Sequence, residues 1–204
     1  MLLHIHPENP EERKIKLVTE CLKDGGIIIY PTDTVYSLGC DINNHNAIEK
    51  MSRIKNIDVK NANYSLVCYD LSHLSDFVFS IDTPLYRVMK KSLPGAFTFI
   101  LKANSNVPKI FKSKKKTVGI RVPDNKICRM IVKELGNPIT STSIHDILDK
   151  EDYITDAEKI HELFENRVDI IIDGGYGNRT PSTVLDCADG EITVIRQGLG
   201  ILEI

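Results

Sequence analysis

Gly25-Gly26-Ile27-Ile28-Ile29-Tyr30-Pro31-Thr32-Asp33-Thr34-Val35-Tyr36-Ser37-Leu38-Gly39 holds the first clear reading of the chain. The glycine pair is of the kind that ends a helix, because Gly accepts a left-handed backbone without a Cβ clash. The β-branched run Ile27 to Ile29 then predicts a strand buried on both faces. Pro31 stops the ladder, since it has no N–H to give. Two hydroxyls and a carboxylate follow, Thr32, Asp33 and Thr34, with Tyr36 and Gly39 close behind. A buried strand that ends in hydroxyls is where an open α/β sheet places its ligand. A turn capped by Thr and Asp side chains reads the stretch equally well, so the remainder of the chain has to decide.

The 204 residues are 42% apolar and 26% charged, ordinary for a globular chain long enough to bury a core. A formal charge of −2 argues against a general polyanion binder, and the absence of Trp against a base-stacking platform. The five cysteines, Cys21, Cys40, Cys68, Cys128 and Cys187, are odd in number and form no CxxC pair. Such usage fits reduced thiols in a cytoplasmic protein. The chain opens without a charged-then-apolar leader and has no apolar run of spanning length, so no membrane association is expected. The six histidines have no metal-site spacing, and no metal centre is expected.

Met1 to His6 alternates loosely, as an edge strand does. Asn9-Pro10-Glu11-Glu12 reads as a helix start with Asn9 as cap, and Ile15, Val18 and Leu22 give that helix an apolar face. Further helices are expected at Asn46 to Ile54, Leu71 to Phe77, Pro84 to Lys91, Lys126 to Leu135 and Asp156 to Phe164. Strands are expected at Ser65 to Tyr69, Phe97 to Ala103, Thr117 to Val122, Ile139 to Ser143, Val168 to Asp173, Ser182 to Asp186 and Ile192 to Arg196. This alternation predicts a single α/β domain over residues 1–204, with a largely buried mixed sheet.

Six polar pieces recur at element ends: Pro31 to Tyr36, Lys55, Pro94-Gly95-Ala96-Phe97-Thr98, Gly119-Ile120-Arg121-Val122-Pro123, Ser141-Thr142-Ser143, and Pro181 to Asp186 with Ile195-Arg196-Gln197-Gly198. They supply hydroxyls and cations with no nucleophile–base pair, a set suited to an anionic substrate bearing phosphate and carboxylate. Neither GxxxxGK[ST] nor GxGxxG is present. Arg121 lies inside a strand, where an unpaired charge is costly, so a ligand or a carboxylate has to meet it, and Asp186 is one such carboxylate. Ser141 and Ser143 alternate on one strand and face the same side.

In order and spacing these pieces resemble the YrdC-like family, which includes the threonylcarbamoyl-AMP synthases, over about residues 25–198. The resemblance implies a twisted mixed sheet with flanking helices around a deep basic cleft. It implies that ATP, L-threonine and bicarbonate condense to threonylcarbamoyl-AMP and pyrophosphate, with Mg²⁺ on the phosphates, in the service of tRNA adenosine modification. Residue by residue, it implies that Thr34 contacts the amino acid and that Arg121 holds its carboxylate. It places Lys55 on the nucleotide, Ser141 near the amino acid and Ser143 near ATP. Ser182 matches the serine of the STVxD block, and Arg196 an arginine near the phosphates; Lys55 and Arg196 are then the catalytic cations.

Two departures stand out. The family's K-x-R reads Lys55-Asn56-Ile57 here, and its S-x-N reads Ser143-Ile144-His145. With the opening His-Pro-Glu-Asn-Pro and the Ser-Thr-Ser block, these resemble the YciO-type branch of the family. Lys60 is a candidate replacement for the missing arginine charge, and a neutral His145 can still make one hydrogen bond. Three readings follow: a threonylcarbamoyl-adenylate-synthase-like enzyme, weakened at Ile57; a double-stranded RNA- or tRNA-binding relative that has shed catalysis; and an adenylating enzyme with another acceptor. The basic run Lys112-Ser113-Lys114-Lys115-Lys116 reads as a solvated loop rather than an RNA contact.

Overall fold

A computed structural model describes residues 1–59, 62–108, 116–144 and 155–202. Within them lie the strands β1 (Leu2–His4), β2 (Ile28–Tyr30), β3 (Ser37–Asp41), β4 (Ser65–Val67) and β5 (Phe97–Lys102). The strands β6 (Thr117–Arg121), β7 (Ile139–Ser143), β8 (Ile170–Asp173), β9 (Thr183–Asp186) and β10 (Thr193–Arg196) follow. The helices are α1 (Glu12–Lys23), α2 (His45–Ile54), α3 (Leu71–Ser75), α4 (Thr83–Ser92), α5 (Lys126–Leu135) and α6 (Ala157–Phe164). All ten strands join one sheet in the order β1-β8-β2-β3-β7-β4-β6-β5-β9-β10. The β1/β8, β8/β2, β4/β6 and β5/β9 pairs are parallel and the others antiparallel, which is the mixed α/β sheet expected.

Each face of the sheet is apolar for its own reason. Ile28, Val67, Ile139 and Ile170 point to one side, where they pack on Ile15, Val18 and Leu22 of α1 and on Ile127, Ile131 and Val132 of α5. Ile29, Leu38, Cys40 and Ile171 point to the other and meet Ile48 and Met51 of α2 and Ile160 and Phe164 of α6. Further along that second face, Leu66, Phe99, Ile120 and Leu185 pack with Leu74, Met89 and Leu93. The helices α5 and α6 begin where a side chain can take an orphan N–H: Asn125 accepts from Cys128 and Asp156 from Glu158. The helix α5 ends at Gly136 with φ +76°, the left-handed stop that glycine permits.

Two expectations need correction. The cap of α1 is Glu11, not Asn9, and it makes no side-chain cap bond. Its carboxylate is taken by Lys14 and the His6 N–H, while the Asn9 N–H is spent on His6 Nδ1. The residues of β3 carry no strand signal in the sequence, yet the strand lies mid-sheet, buried along its whole length between β2 and β7. Lys60, His145 and residues 112–115 of the basic run lie outside the described residues. Among the described residues, no helix is long and apolar enough to cross a membrane.

Four of the five cysteines are buried, the fifth is half-buried, and all are free thiols. Burial pushes Cys21 and Cys187 up to about 11, and Cys128 up to about 12, from an ordinary 9.0. Cys40 and Cys68 are raised for the same reason. Each of these groups holds its proton more tightly folded than unfolded. Its stabilisation is complete below the unfolded value and is lost as pH rises through the folded one. Urea unfolding is therefore expected to show stability falling between pH 9.0 and 11, by up to about 1.4 kcal/mol per pH unit for each thiol. A flat profile over that interval contradicts this account of the core.

Candidate active site

Register places a row of small polar residues on the face that α1 and α5 only partly cover. Gly39 pairs with Ser141, Ser141 with Ser65 and Ser65 with Gly119, so these four residues, from β3, β7, β4 and β6, point the same way. One step along, Ser143 lies opposite Ser37. The row is closely packed at Gly119. A Cβ on Gly119 would sit 3.0 Å from Ser65 Oγ and 3.3 Å from Thr98 Cγ2. Ser141, Thr98 and Ser182 are buried, so this floor is a polar interior rather than an open surface.

At one end of the floor stands Arg121, the last residue of β6, only 7% exposed. Its Nη2 donates to Asp33 Oδ1 at 3.0 Å and to Thr34 Oγ1 at 2.9 Å. Asp33 is thus the carboxylate that meets Arg121, in place of Asp186, whose Oδ1 accepts from the Ala188 N–H. The other oxygen of Asp33 accepts from the Asp124 N–H at 3.2 Å, tying the loop after β2 to the loop after β6. Thr32 Oγ1 braces the turn by donating to Val35 O and accepting from the Thr34 N–H. Turn chemistry and ligand chemistry therefore coexist in this loop. The buried Nε of Arg121 has no partner among the described residues. A buried guanidinium N–H without an acceptor is costly, and a ligand oxygen would satisfy it.

Beside this pair, Tyr30 donates to Ser141 Oγ at 2.6 Å. The two residues sit on β2 and β7, with β3 between them, and the ring crosses β3 at Gly39. A Cβ there would lie 2.8 Å from Tyr30 Cε1 and 2.5 Å from Ile139 Cγ2, so glycine is required by close approach. At the far side of the floor, Ser182 Oγ shares a hydrogen with Thr98 Oγ1 at 2.8 Å, a link between strands rather than a local turn. Arg196 spans the β10 edge to Ser182, donating to its carbonyl oxygen from Nε at 3.2 Å and from Nη2 at 2.9 Å. Gly198 allows this, because a Cβ there would fall 2.3 Å from Pro181 O.

Lys55 behaves differently. It closes α2 on the opposite face of the sheet, and its Nζ donates to Thr142 Oγ1 at 2.7 Å. Thr142 alternates with Ser141 and Ser143, so Lys55 approaches β7 from the side away from the hydroxyl floor. The structure therefore gathers Thr34 and Arg121 into one cluster, holds Ser141 through Tyr30, and joins Ser182 to Arg196 across the floor. Lys55 stands apart behind β7. Asp33, Tyr30, Ser65 and Thr98 belong to the site as well. Thr98 and Asp33 stand inside the polar pieces of the sequence, whereas nothing local marks Tyr30 or Ser65.

Two surface depressions of about 350 and 340 Å³ flank α2 and share Lys50 and Arg53. Neither includes a residue of the hydroxyl floor. Among the described residues, no group of three or more His, Cys, Asp or Glu side chains is placed to hold a metal ion. The donors around the floor are hydroxyls and cations, which suit anionic oxygens rather than a bare cation.

A family model, Sua5/YciO/YrdC with the description telomere recombination, matches residues 20–198. YciO of Escherichia coli K12 is 42% identical over 199 residues, covering 97% of this chain and 95% of that one. Its crystal structure superposes with a TM-score of 0.92, covering 100% of this chain and 98% of the other. Threonylcarbamoyl-AMP synthase of Coxiella burnetii is 28% identical over 181 residues, covering 88% of this chain and 96% of that enzyme. The crystal structure of P. abyssi Sua5 complexed with L-threonine is 26% identical with a TM-score of 0.88, and covers 97% of this chain and 57% of the longer one.

Proposed function

Because the chain belongs to the Sua5/YciO/YrdC family, we propose that it is a threonylcarbamoyl-AMP-synthase-like enzyme acting on MgATP, L-threonine and bicarbonate. The observation that carries this reading is Arg121, a buried guanidinium pinned by Asp33 and Thr34 with one N–H that has no acceptor among the described residues. A structural relative, P. abyssi Sua5, has been solved in complex with L-threonine, and that ligand class supports the reading. The substrate carboxylate meets Arg121, and Thr34 and Ser141 supply hydroxyls beside it. Ser143, Ser182 and Arg196 take the nucleotide, and Lys55 joins them at the phosphates only on leaving Thr142, which holds it on the other face of β7.

No residue of this site is placed as a covalent nucleophile, so the catalysis is positioning and charge stabilisation. The threonine amine and bicarbonate condense to a carbamate with loss of water, and a carbamate oxygen attacks the α-phosphorus of ATP. The bond to the bridging oxygen breaks, and pyrophosphate leaves with its charge facing Lys55 and Arg196. The Mg²⁺ arrives on the phosphates. The product, a carbamoyl adenylate, belongs to tRNA adenosine modification.

This assignment is tested by ATP titration of Lys55→Ala and Arg196→Ala. A charge-assisted contact is worth about 1.5–3 kcal/mol, so each variant is expected to raise the ATP dissociation constant by about tenfold or more. L-threonine affinity should stay near the natural value in both. Unchanged ATP binding in both variants removes the two cations from the site.

A further inference from the structure

The bond between Tyr30 and Ser141 has a consequence for the hydroxyl floor. Tyr30 is fully buried, and burial pushes its phenol well above the ordinary tyrosine range, so it is a neutral O–H donor. Its acceptor is Ser141 Oγ. A serine hydroxyl carries one proton and two lone pairs, so once Oγ accepts from Tyr30 its own proton must point elsewhere. The side toward β3 is occupied by the Tyr30 ring crossing Gly39. The remaining direction is along the floor, on the side of Ser65, the residue paired with Ser141 on β4.

We infer that Tyr30 is a positioning residue that turns Ser141 into a fixed hydrogen-bond donor facing the amino-acid substrate. A serine alone on a strand rotates between donor and acceptor orientations. Here the phenol from two strands away removes that choice before any ligand arrives. A fixed donor suits a carboxylate or carbonyl oxygen and disfavours an ammonium group at the same point, so Tyr30 contributes to the orientation in which the amino acid binds. Gly39 is part of the device, because any larger residue blocks the path of the ring.

The inference rests on the amino-acid reading of the site, and its test separates the two. Tyr30→Phe keeps the ring across Gly39 and deletes only the hydroxyl. Calorimetric titration with L-threonine is made on the natural chain, Tyr30→Phe, Ser141→Ala and the double variant, with ATP titrated in parallel. Tyr30→Phe and Ser141→Ala are each expected to weaken L-threonine by about tenfold, and the double variant no more than Ser141→Ala alone. ATP affinity is expected to be the same in all four, which a general loss of packing would not leave untouched. Losses that multiply in the double variant, or a Tyr30→Phe chain that binds L-threonine as tightly as the natural one, overturn the inference.

A ligand-free readout accompanies these titrations. The buried Tyr30 hydroxyl proton should give a slowly exchanging proton NMR resonance that shifts or vanishes in Ser141→Ala. A resonance indifferent to Ser141→Ala overturns the inference even where L-threonine binds. A natural chain with the Ser141-dependent resonance and no binding of L-threonine overturns the amino-acid reading, while the donation to Ser141 stands.

Discussion

An Ile57→Arg variant is expected to form the adenylate on the order of a thousandfold faster than the natural chain. In the family's K-x-R pattern an arginine occupies this position, and a cation aimed at a transferring phosphoryl group is worth that much or more. The site of the exchange is permissive. Ile57 is 37% exposed and is absent from the hydrophobic clusters, and its backbone N–H donates to Ser52 O at 3.0 Å whatever the side chain is. Just before it, Asn56 holds a left-handed φ of 54°, which fixes where residue 57 leaves the end of α2. The gain should therefore appear in kcat with little change in melting temperature. Pyrophosphate release measured side by side checks this, and an Ile57→Arg rate within a few-fold of the natural one contradicts the role given to the missing charge.

Asp33→Ala is expected to have the largest effect on stability. Removing one partner of a buried ion pair costs about 3–5 kcal/mol, because the surviving charge stays desolvated without compensation. The side chains of Arg121 and Asp33 are 9% and 11% exposed, and Asp33 also accepts from the Asp124 N–H. For a chain of this size the melting temperature should fall by about 10 °C. The companion experiment is Asp33→Ala combined with Arg121→Leu. An apolar replacement of a buried pair is often neutral, so most of the stability should return while L-threonine binding stays absent. That outcome assigns the pair to ligand recognition rather than to holding the fold. An Asp33→Ala chain that melts within about 2 °C of the natural one contradicts the burial cost used here.

Elements with a strong local pattern were legible from residues alone. The helix α5 spans the expected residues because capping Asn125, stop signal Gly136 and the hydrophobic period agree, and the β-branched run of β7 likewise spans Ile139–Ser143. The strand β3 was hidden because Ser37, Gly39 and Asp41 are poor strand formers, and its burial comes from β2 and β7 rather than from its own composition. The site shows the same division. Arg121, Ser141, Ser182 and Arg196 stand in recognisable blocks, so their residue types could be read directly. Their partners could not. Asp33 lies 88 residues from Arg121, and Tyr30 lies 111 residues from Ser141. Such pairs exist only once the sheet order is set. The placement of Lys55 on the far side of β7 is likewise a product of strand alternation acting at Thr142.

The most direct test of the account is pyrophosphate release from MgATP by the natural chain, with and without L-threonine and bicarbonate. The account predicts slow turnover that requires both co-substrates and is lost in Arg121→Ala. Turnover indifferent to L-threonine and bicarbonate, or silence in the natural chain and in Ile57→Arg alike, contradicts it.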